Sequence, residues 1–226
     1  APNYAPRTIL SNFMDELTNR ALRIINSYEL PGLAIRAFPL SNNLDSNKSD
    51  NNSIFNLFTI GKSPASVAIN QNTNTIYVAN SESNSVSVID GSTNSIVDII
   101  AVEKRPIGIS INRVTNMIYL INTSSASISV INGSTNNIVK TIDLNGVPFG
   151  IDVNPILNRI YVIDPFSMIN YIDGNSNKVT NKIKIDGNPQ RISVNPITST
   201  LYVTKSNSVS VIDESTNSIV KTIQLE

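Results

Sequence analysis

Three carboxylates, Asp90, Asp173 and Asp213, recur at matching places along the sequence, and Asn132 fills the fourth such place. A recurring carboxylate invites a calcium reading, but that ion takes about six to eight oxygen ligands and one carboxylate per repeat is too few. A side chain that caps its own turn explains the pattern more simply. General acid–base work would need burial or a like-charge neighbour to move a pKa, and the sequence supplies neither. The chain has no histidine and no cysteine. Ser-His-Asp and Cys-His arrangements and most zinc sites therefore cannot be assembled. Thiolate chemistry, disulfides and iron–sulfur ligation are excluded with them. We expect no metal site, no cofactor and no enzymatic activity. The 17 basic and 17 acidic side chains cancel and form no basic block, which argues against nucleic acid and anionic membrane as partners. No apolar run approaches the roughly 20 residues of a membrane-spanning helix.

These residues sit in a repeat. Pro64, Pro106, Pro148 and Pro189 are spaced by 42, 42 and 41 residues, and Tyr77, Tyr119, Tyr161 and Tyr202 keep the same intervals. Asn70, Asn112, Asn154 and Asn195 form a third series in the same register. Each copy divides into four short, alternating, β-branched runs, such as VAIN, TIYVAN, SVSVID and SIVDII in the first. Asn-rich turns join runs one and two. Asp90-Gly91-Ser92-Thr93-Asn94 joins runs three and four, with Gly91 and Gly133 expected to supply a positive φ. Each copy thus reads as a four-stranded antiparallel meander. A single such sheet cannot bury both faces, so the copies must stack. The expected fold is all-β: a β-propeller of four-stranded antiparallel blades, four full repeats plus part of another. The blades span about 61–100, 101–142, 143–183 and 184–226 within a repeat region of 53–226. Inward positions Ile69, Val78, Ile111, Leu120, Val153, Val162, Val194 and Val203 are the expected core.

The segment Ile76-Tyr77-Val78-Ala79-Asn80, with SVSVIDGSTNSIV after it, resembles the YVTN family of β-propeller repeats, and the resemblance runs from residue 61 to 226. It implies a ring typically of seven blades and a secreted or cell-surface setting, archaeal surface-layer proteins included. Some similar propellers are enzymes or bind haem. Those activities lean on histidine, so no catalytic residue is carried over. Departures from the pattern are Ser66 and Arg191 where Gly108 and Gly150 stand in the other copies, Asn132 in place of Asp, and Glu214 in place of Gly after Asp213. They are expected to affect local turns and the channel lining.

On a propeller, the loops between blades and those between strands two and three share one face, the expected place for a partner. Glu103, Lys104, Arg105, Phe166 and Lys205 are the candidate binding residues there. Arg191 joins them, because a small-residue position at the start of an innermost strand aims its guanidinium at the channel mouth. Its five donors in a fixed fork suit a carboxylate or a cluster of sugar hydroxyls, or else a local Asp or a carbonyl across the channel. Asn47, Asn51, Asn122 and Asn132 begin glycosylation sequons.

The first 52 residues are of different material. Leu10, Phe13, Met14, Leu17, Ala21, Ile24, Ile25 and Tyr28 step by three or four, giving an N-terminal amphipathic helix over 8–28 that ends at Pro31-Gly32. A strand is expected over 33–40, a polar linker or long hairpin loop over 41–52, and over 54–60 the last strand of a preceding blade. These pieces do not complete that blade, so an incomplete or irregular propeller is expected, with the helix covering one edge. The leading functional expectation is a non-catalytic structural or interaction module at the cell surface or outside the cell. It would present its loops to a protein or glycan, or to other copies of itself. The alternative is a small-molecule or enzymatic site at the channel mouth.

Overall fold

Alternating β-branched runs and Asn-rich turns fold here into sixteen strands. The computed structural model describes residues 61–225. The expected helix over 8–28, the strands over 33–40 and 54–60, the linker, Asn47 and Asn51 lie outside the described residues. Sheet 1 comprises β1 (Pro64–Asn70), β2 (Thr75–Asn80), β3 (Ser85–Asp90) and β4 (Ser95–Ala101). Sheet 2 comprises β5 (Pro106–Asn112), β6 (Met117–Asn122), β7 (Ser127–Asn132) and β8 (Asn137–Asp143). Sheet 3 comprises β9 (Gly150–Asn154), β10 (Arg159–Ile163), β11 (Met168–Asp173) and β12 (Lys178–Lys184). Sheet 4 comprises β13 (Arg191–Asn195), β14 (Thr200–Thr204), β15 (Ser208–Asp213) and β16 (Ser218–Gln224). Each sheet is an antiparallel meander in chain order. Its third and fourth strands are offset by a bulge, at Val88/Ile89, Val130/Ile131, Tyr171/Ile172 and Val211/Ile212. Bulges of this kind sharpen the local twist.

The sheets stack through their first strands, β1 on β5, β5 on β9 and β9 on β13, as blades do around a propeller axis. Three apolar cores result, one between each consecutive pair. Tyr77, Val86, Val88 and Ile100 of sheet 1 meet Ile109, Ile118 and Leu120 of sheet 2. Sheets 2 and 3 repeat this with Tyr119, Ile128 and Ile142 against Val153, Ile160 and Val162. Sheets 3 and 4 do so with Tyr161, Ile169 and Ile183 against Ile192, Leu201 and Val203. Of the expected core, Val78, Leu120, Val153, Val162 and Val203 are buried, while Ile111 and Val194 are half-buried. Ile69 is 53% exposed, contrary to expectation. It lies on the face of sheet 1 that has no preceding sheet among the described residues.

The turns also correct one expectation. Positive φ falls on Asn94, Asn136, Asn177 and Asn217, the last residues of the β3–β4-type turns, and Gly91 and Gly133 are not in that region. Asn tolerates the left-handed well better than other side chains. The glycines are needed for space. A Cβ on Gly91, Gly133 or Gly174 would overlap the amide of Asn74, Asn116 or Asn158 respectively.

Candidate functional site

The first strands of the four sheets pack on one another in order, and one position on them follows the series Ala68, Ser110, Asp152, Ser193. Asp152 therefore puts a carboxylate where its counterparts are small. Its Oδ1 accepts from the Ser110 hydroxyl at 3.0 Å and from the Val153 N–H at 2.9 Å. Its Oδ2 accepts from the Val194 N–H at 2.8 Å. One side chain thereby ties β5, β9 and β13 together at the axis. Beside it opens a cavity of about 290 Å³, which Arg113 and Gln71 also line. Arg113 Nη1 donates to Gln71 Oε1 at 2.6 Å, leaving the guanidinium's other donors toward the cavity and solvent. A carboxylate has about four acceptor positions, so Asp152 keeps one after its three bonds.

At the opposite end, a more open depression of about 500 Å³ is lined by Phe149, Asn188, Pro189, Gln190 and Arg191. Arg191 Nη1 donates to the Gln190 carbonyl at 3.1 Å, and the Arg191 N–H donates to Thr204 Oγ1 at 3.1 Å. The arginine is thus satisfied in part by a local carbonyl while lining the mouth.

The other candidate residues are spread over the loop face. Lys104 and Arg105 sit in the connection from sheet 1 to sheet 2. Their carbonyls accept from the Ser124 and Thr123 N–H groups at 3.2 and 2.9 Å. Their own N–H groups donate to Ser125 Oγ and Asn84 Oδ1, each at 2.9 Å. Glu103 Oε2 accepts from Ser125 Oγ at 3.2 Å. The backbone here is fixed, and Arg105 is held at φ 56°. Phe166, 67% exposed, lies over Gly146 in the next connection. The Lys205 side chain lies beside Gly187 in the one after that. Of these six residues, Arg191 lines the depression.

Two sequons are placed by the fold. Asn122 is fully buried, with Nδ2 donating to Ser127 Oγ at 3.2 Å and Ser129 Oγ at 2.9 Å. The fold thus encloses this sequon asparagine, because β6 belongs to a sheet packed on both faces. Asn132 is half-buried and caps its turn by accepting from the Ser134 N–H at 2.8 Å. Asp90, Asp173 and Asp213 do likewise. Backbone N–H groups hold the Asp90 carboxyl below its usual range, and the Ser176 and Ser215 hydroxyls, with backbone help, do so for Asp173 and Asp213.

The most perturbed groups lie on the faces that sheet 3 shares with its neighbours, Tyr119 toward sheet 2 and Tyr161 and Glu214 toward sheet 4. Glu214 is 1% exposed, and burial pushes its carboxyl up against the lowering contacts of Asn154, Tyr161 and Arg159. Asn154 Nδ2 donates to Glu214 Oε2 at 2.6 Å, and Arg159 Nη1 donates to the Glu214 carbonyl at 3.1 Å. Arg159 stands over the Tyr171 ring at 5.1 Å, and Tyr171 stacks on Tyr161 at 5.6 Å. Burial and the Glu214 charge push the Tyr161 hydroxyl up. Burial, then the charge of Asp173, pushes Tyr119 up to about 12. Glu214 with Asn154 and Arg159 joins sheets 3 and 4, where the sequence suggested only local turns and the channel lining. Asp152 and Arg113 were missed as well. The signal for Asp152 was a carboxylate interrupting a small-residue series on an innermost strand.

Among the described residues, no three acidic side chains are placed to hold a metal ion. None of the described helices is long and apolar enough to cross a membrane.

The sequence matches no protein-family model and no curated protein. Solved structures do resemble it. "Kuenenia stuttgartiensis Hydrazine Synthase" superposes with a TM-score of 0.68 at 22% identity, over 72% of this chain and 49% of that one. "Dihydro-heme d1 dehydrogenase NirN in complex with DHE" superposes with a TM-score of 0.63 at 12% identity, over 73% of this chain and 38% of that one. The chain thus spans half the length of these structures or less. The likeness is one of fold, that of propeller-like proteins with four-stranded antiparallel sheets.

Proposed function

We propose that this chain is a ligand-binding segment of a β-propeller, taking a small, uncharged, hydroxyl-bearing molecule at the channel end beside Asp152. The observation that carries this is the pairing of one free acceptor position on Asp152 with the free donors of Arg113 in a cavity of about 290 Å³. That volume is near the lower end of ligand pockets, about 300 Å³. A hydroxyl both donates and accepts, so it answers both groups without burying an unmatched charge. The two similar structures are a synthase and a dehydrogenase, which favours a small-molecule site over a purely structural role.

On the resemblance of its repeats to the YVTN type, we further propose a setting at the cell surface. There the fixed loop at Glu103, Lys104 and Arg105 would meet a protein or glycan.

Isothermal titration with a panel of monosaccharides and polyols tests the channel reading. One of them should bind with one-to-one stoichiometry. Arg113→Gln should weaken it at least about tenfold, the worth of one charged hydrogen bond, and Arg191→Gln should leave it unchanged. No saturable binding across the panel, or loss with Arg191→Gln alone, defeats the reading.

A further inference from the structure

Among the described residues, the two ends of the stack have no covering sheet, and they are complementary. Tyr77, Tyr119 and Tyr161 are completely buried against the following sheet, whereas Tyr202 is 38% exposed. Ile100, Ile142 and Ile183 are buried, and their counterpart Ile223 is 39% exposed. At the other end, Ile109 and Ile192 are buried against the preceding sheet, and their counterpart Val67 is 61% exposed, beside Ile69. β13 and β1 do not pack on each other as consecutive first strands do.

The polar contacts are interrupted at the same places. Asn70 Nδ2 donates to Asn116 Oδ1 of the next sheet at 2.7 Å, and Asn112 Nδ2 donates to Asn158 Oδ1 at 2.7 Å. In the third interface Glu214 accepts from Asn154. Asn195 keeps the same turn, with Oδ1 accepting from the Ile197 and Thr198 N–H groups. Its Nδ2 has no acceptor among the described residues. Asn74 is the counterpart of Asn116 and Asn158, at φ 50°, with Nδ2 donating to Ser92 Oγ as Asn116 Nδ2 donates to Ser134 Oγ. No described donor reaches its Oδ1. Among the described residues a donor on sheet 4 and an acceptor on sheet 1 are therefore unmatched, each beside an exposed apolar face.

We propose that these two faces dock between copies of this chain, sheet 4 of one copy against sheet 1 of a second, as sheet 1 docks on sheet 2. Asn195 Nδ2 would donate to Asn74 Oδ1, and Tyr202 would fill the place that Tyr77 fills against sheet 2. The contact is heterologous, so two copies close a ring if the rotation allows, and otherwise the contact repeats.

Analytical ultracentrifugation of the full 226-residue chain tests this. The wild type should self-associate, and both Tyr202→Glu and Ile69→Glu should abolish it while keeping the circular dichroism of the wild type. An equimolar mixture of the two variants should form a one-to-one dimer, because one intact face remains on each. Asn195→Asp keeps the turn acceptor and removes the donor, so it should weaken association about tenfold. A monomer at every concentration overturns the proposal, whether another part of the chain covers the faces or nothing does. So does sensitivity to Tyr202→Glu alone, which marks a symmetric contact of sheet 4 with itself, or to Ile69→Glu alone, which marks one of sheet 1. Titration of Tyr202→Glu reads the ligand separately, since Tyr202 lies outside the cavity whereas Ile69 lines it.

Discussion

Glu214 shows how one side chain can replace another at a different place in the chain. In the first two interfaces the acceptor for the marker asparagine is an Asn at positive φ, and glycine in the neighbouring turn leaves room for it. In the third, that Asn is Ser199 and that Gly is Glu214, whose carboxylate reaches the same donor. The exchange puts an ionisable group where amides otherwise stand, and burial holds its carboxyl above the usual range. The folded state therefore binds that proton more tightly than the unfolded state does. Its contribution is fully present below the ordinary glutamate pKa and is lost as pH rises through the raised value. Asp90, Asp173 and Asp213 are shifted the other way, so they lose stability as pH falls and partly mask the trend. Comparison with Glu214→Gln isolates it. Relative to the wild type, the variant should gain in melting temperature as pH is raised from about 4 to about 7. A constant difference across that range would show that Glu214 titrates as an exposed carboxylate. Neither the donor nor the burial was legible from a Glu in a Gly position. The pairing of Ser199 with Glu214 across some fifteen residues is visible only once both turns are seen side by side.

At the scale of elements, the meanders were legible because period-two alternation, tyrosine spacing and Asn-rich turns all point to the same sixteen strands. The turn glycines were misread because a Gly beside Asp suggests backbone freedom, while the structure uses it for clearance from an Asn on the neighbouring turn. This distinction can be measured on sheet 2. Gly133→Glu alone should cost about 1–3 kcal/mol by overpacking against Asn116. Asn116→Ser alone should cost about 1 kcal/mol by removing the acceptor for Asn70. Combined, they reproduce the arrangement of sheet 4, and the double variant should be more stable than the sum of the two by at least about 1 kcal/mol. Urea midpoints of the four proteins close the cycle. Strict additivity would mean that the two turns do not share space. The cores between sheets give a plainer expectation. Leu120→Ala, fully buried between sheets 1 and 2, should cost about 2–5 kcal/mol, and Val67→Ala on the uncovered face should cost well under 1 kcal/mol. Equal losses in thermal or urea unfolding would mean that the exposed face is covered in solution.

For the whole molecule, stacked sheets that touch only their neighbours behave as a nearly one-dimensional array, with stability set by each sheet and the interfaces it shares. Sheets 2 and 3 each share two interfaces with described sheets, while sheets 1 and 4 share one. The periodicity of the sequence makes all four copies look equivalent, so it could not show that Ile69 is exposed while Val153, its counterpart in sheet 3, is buried. That difference belongs to position in the stack. Native-state hydrogen exchange should follow the same order in dilute solution. The amides of β6 and β10 should open only with global unfolding, while those of β16 should exchange through a cheaper local opening. Raising the protein concentration separates this gradient from an intrinsic weakness of sheet 4, because association stabilises only the end sheets directly. Protection of β16 should then rise toward that of β12 while β6 and β10 rise less. In Ile69→Glu, which removes the face that sheet 4 would meet, the low protection of β16 should persist at every concentration. If β16 is as protected as β12 in dilute wild-type protein, the end face is already covered within one chain, and the array does not end where the exposed Tyr202 and Ile223 place its edge.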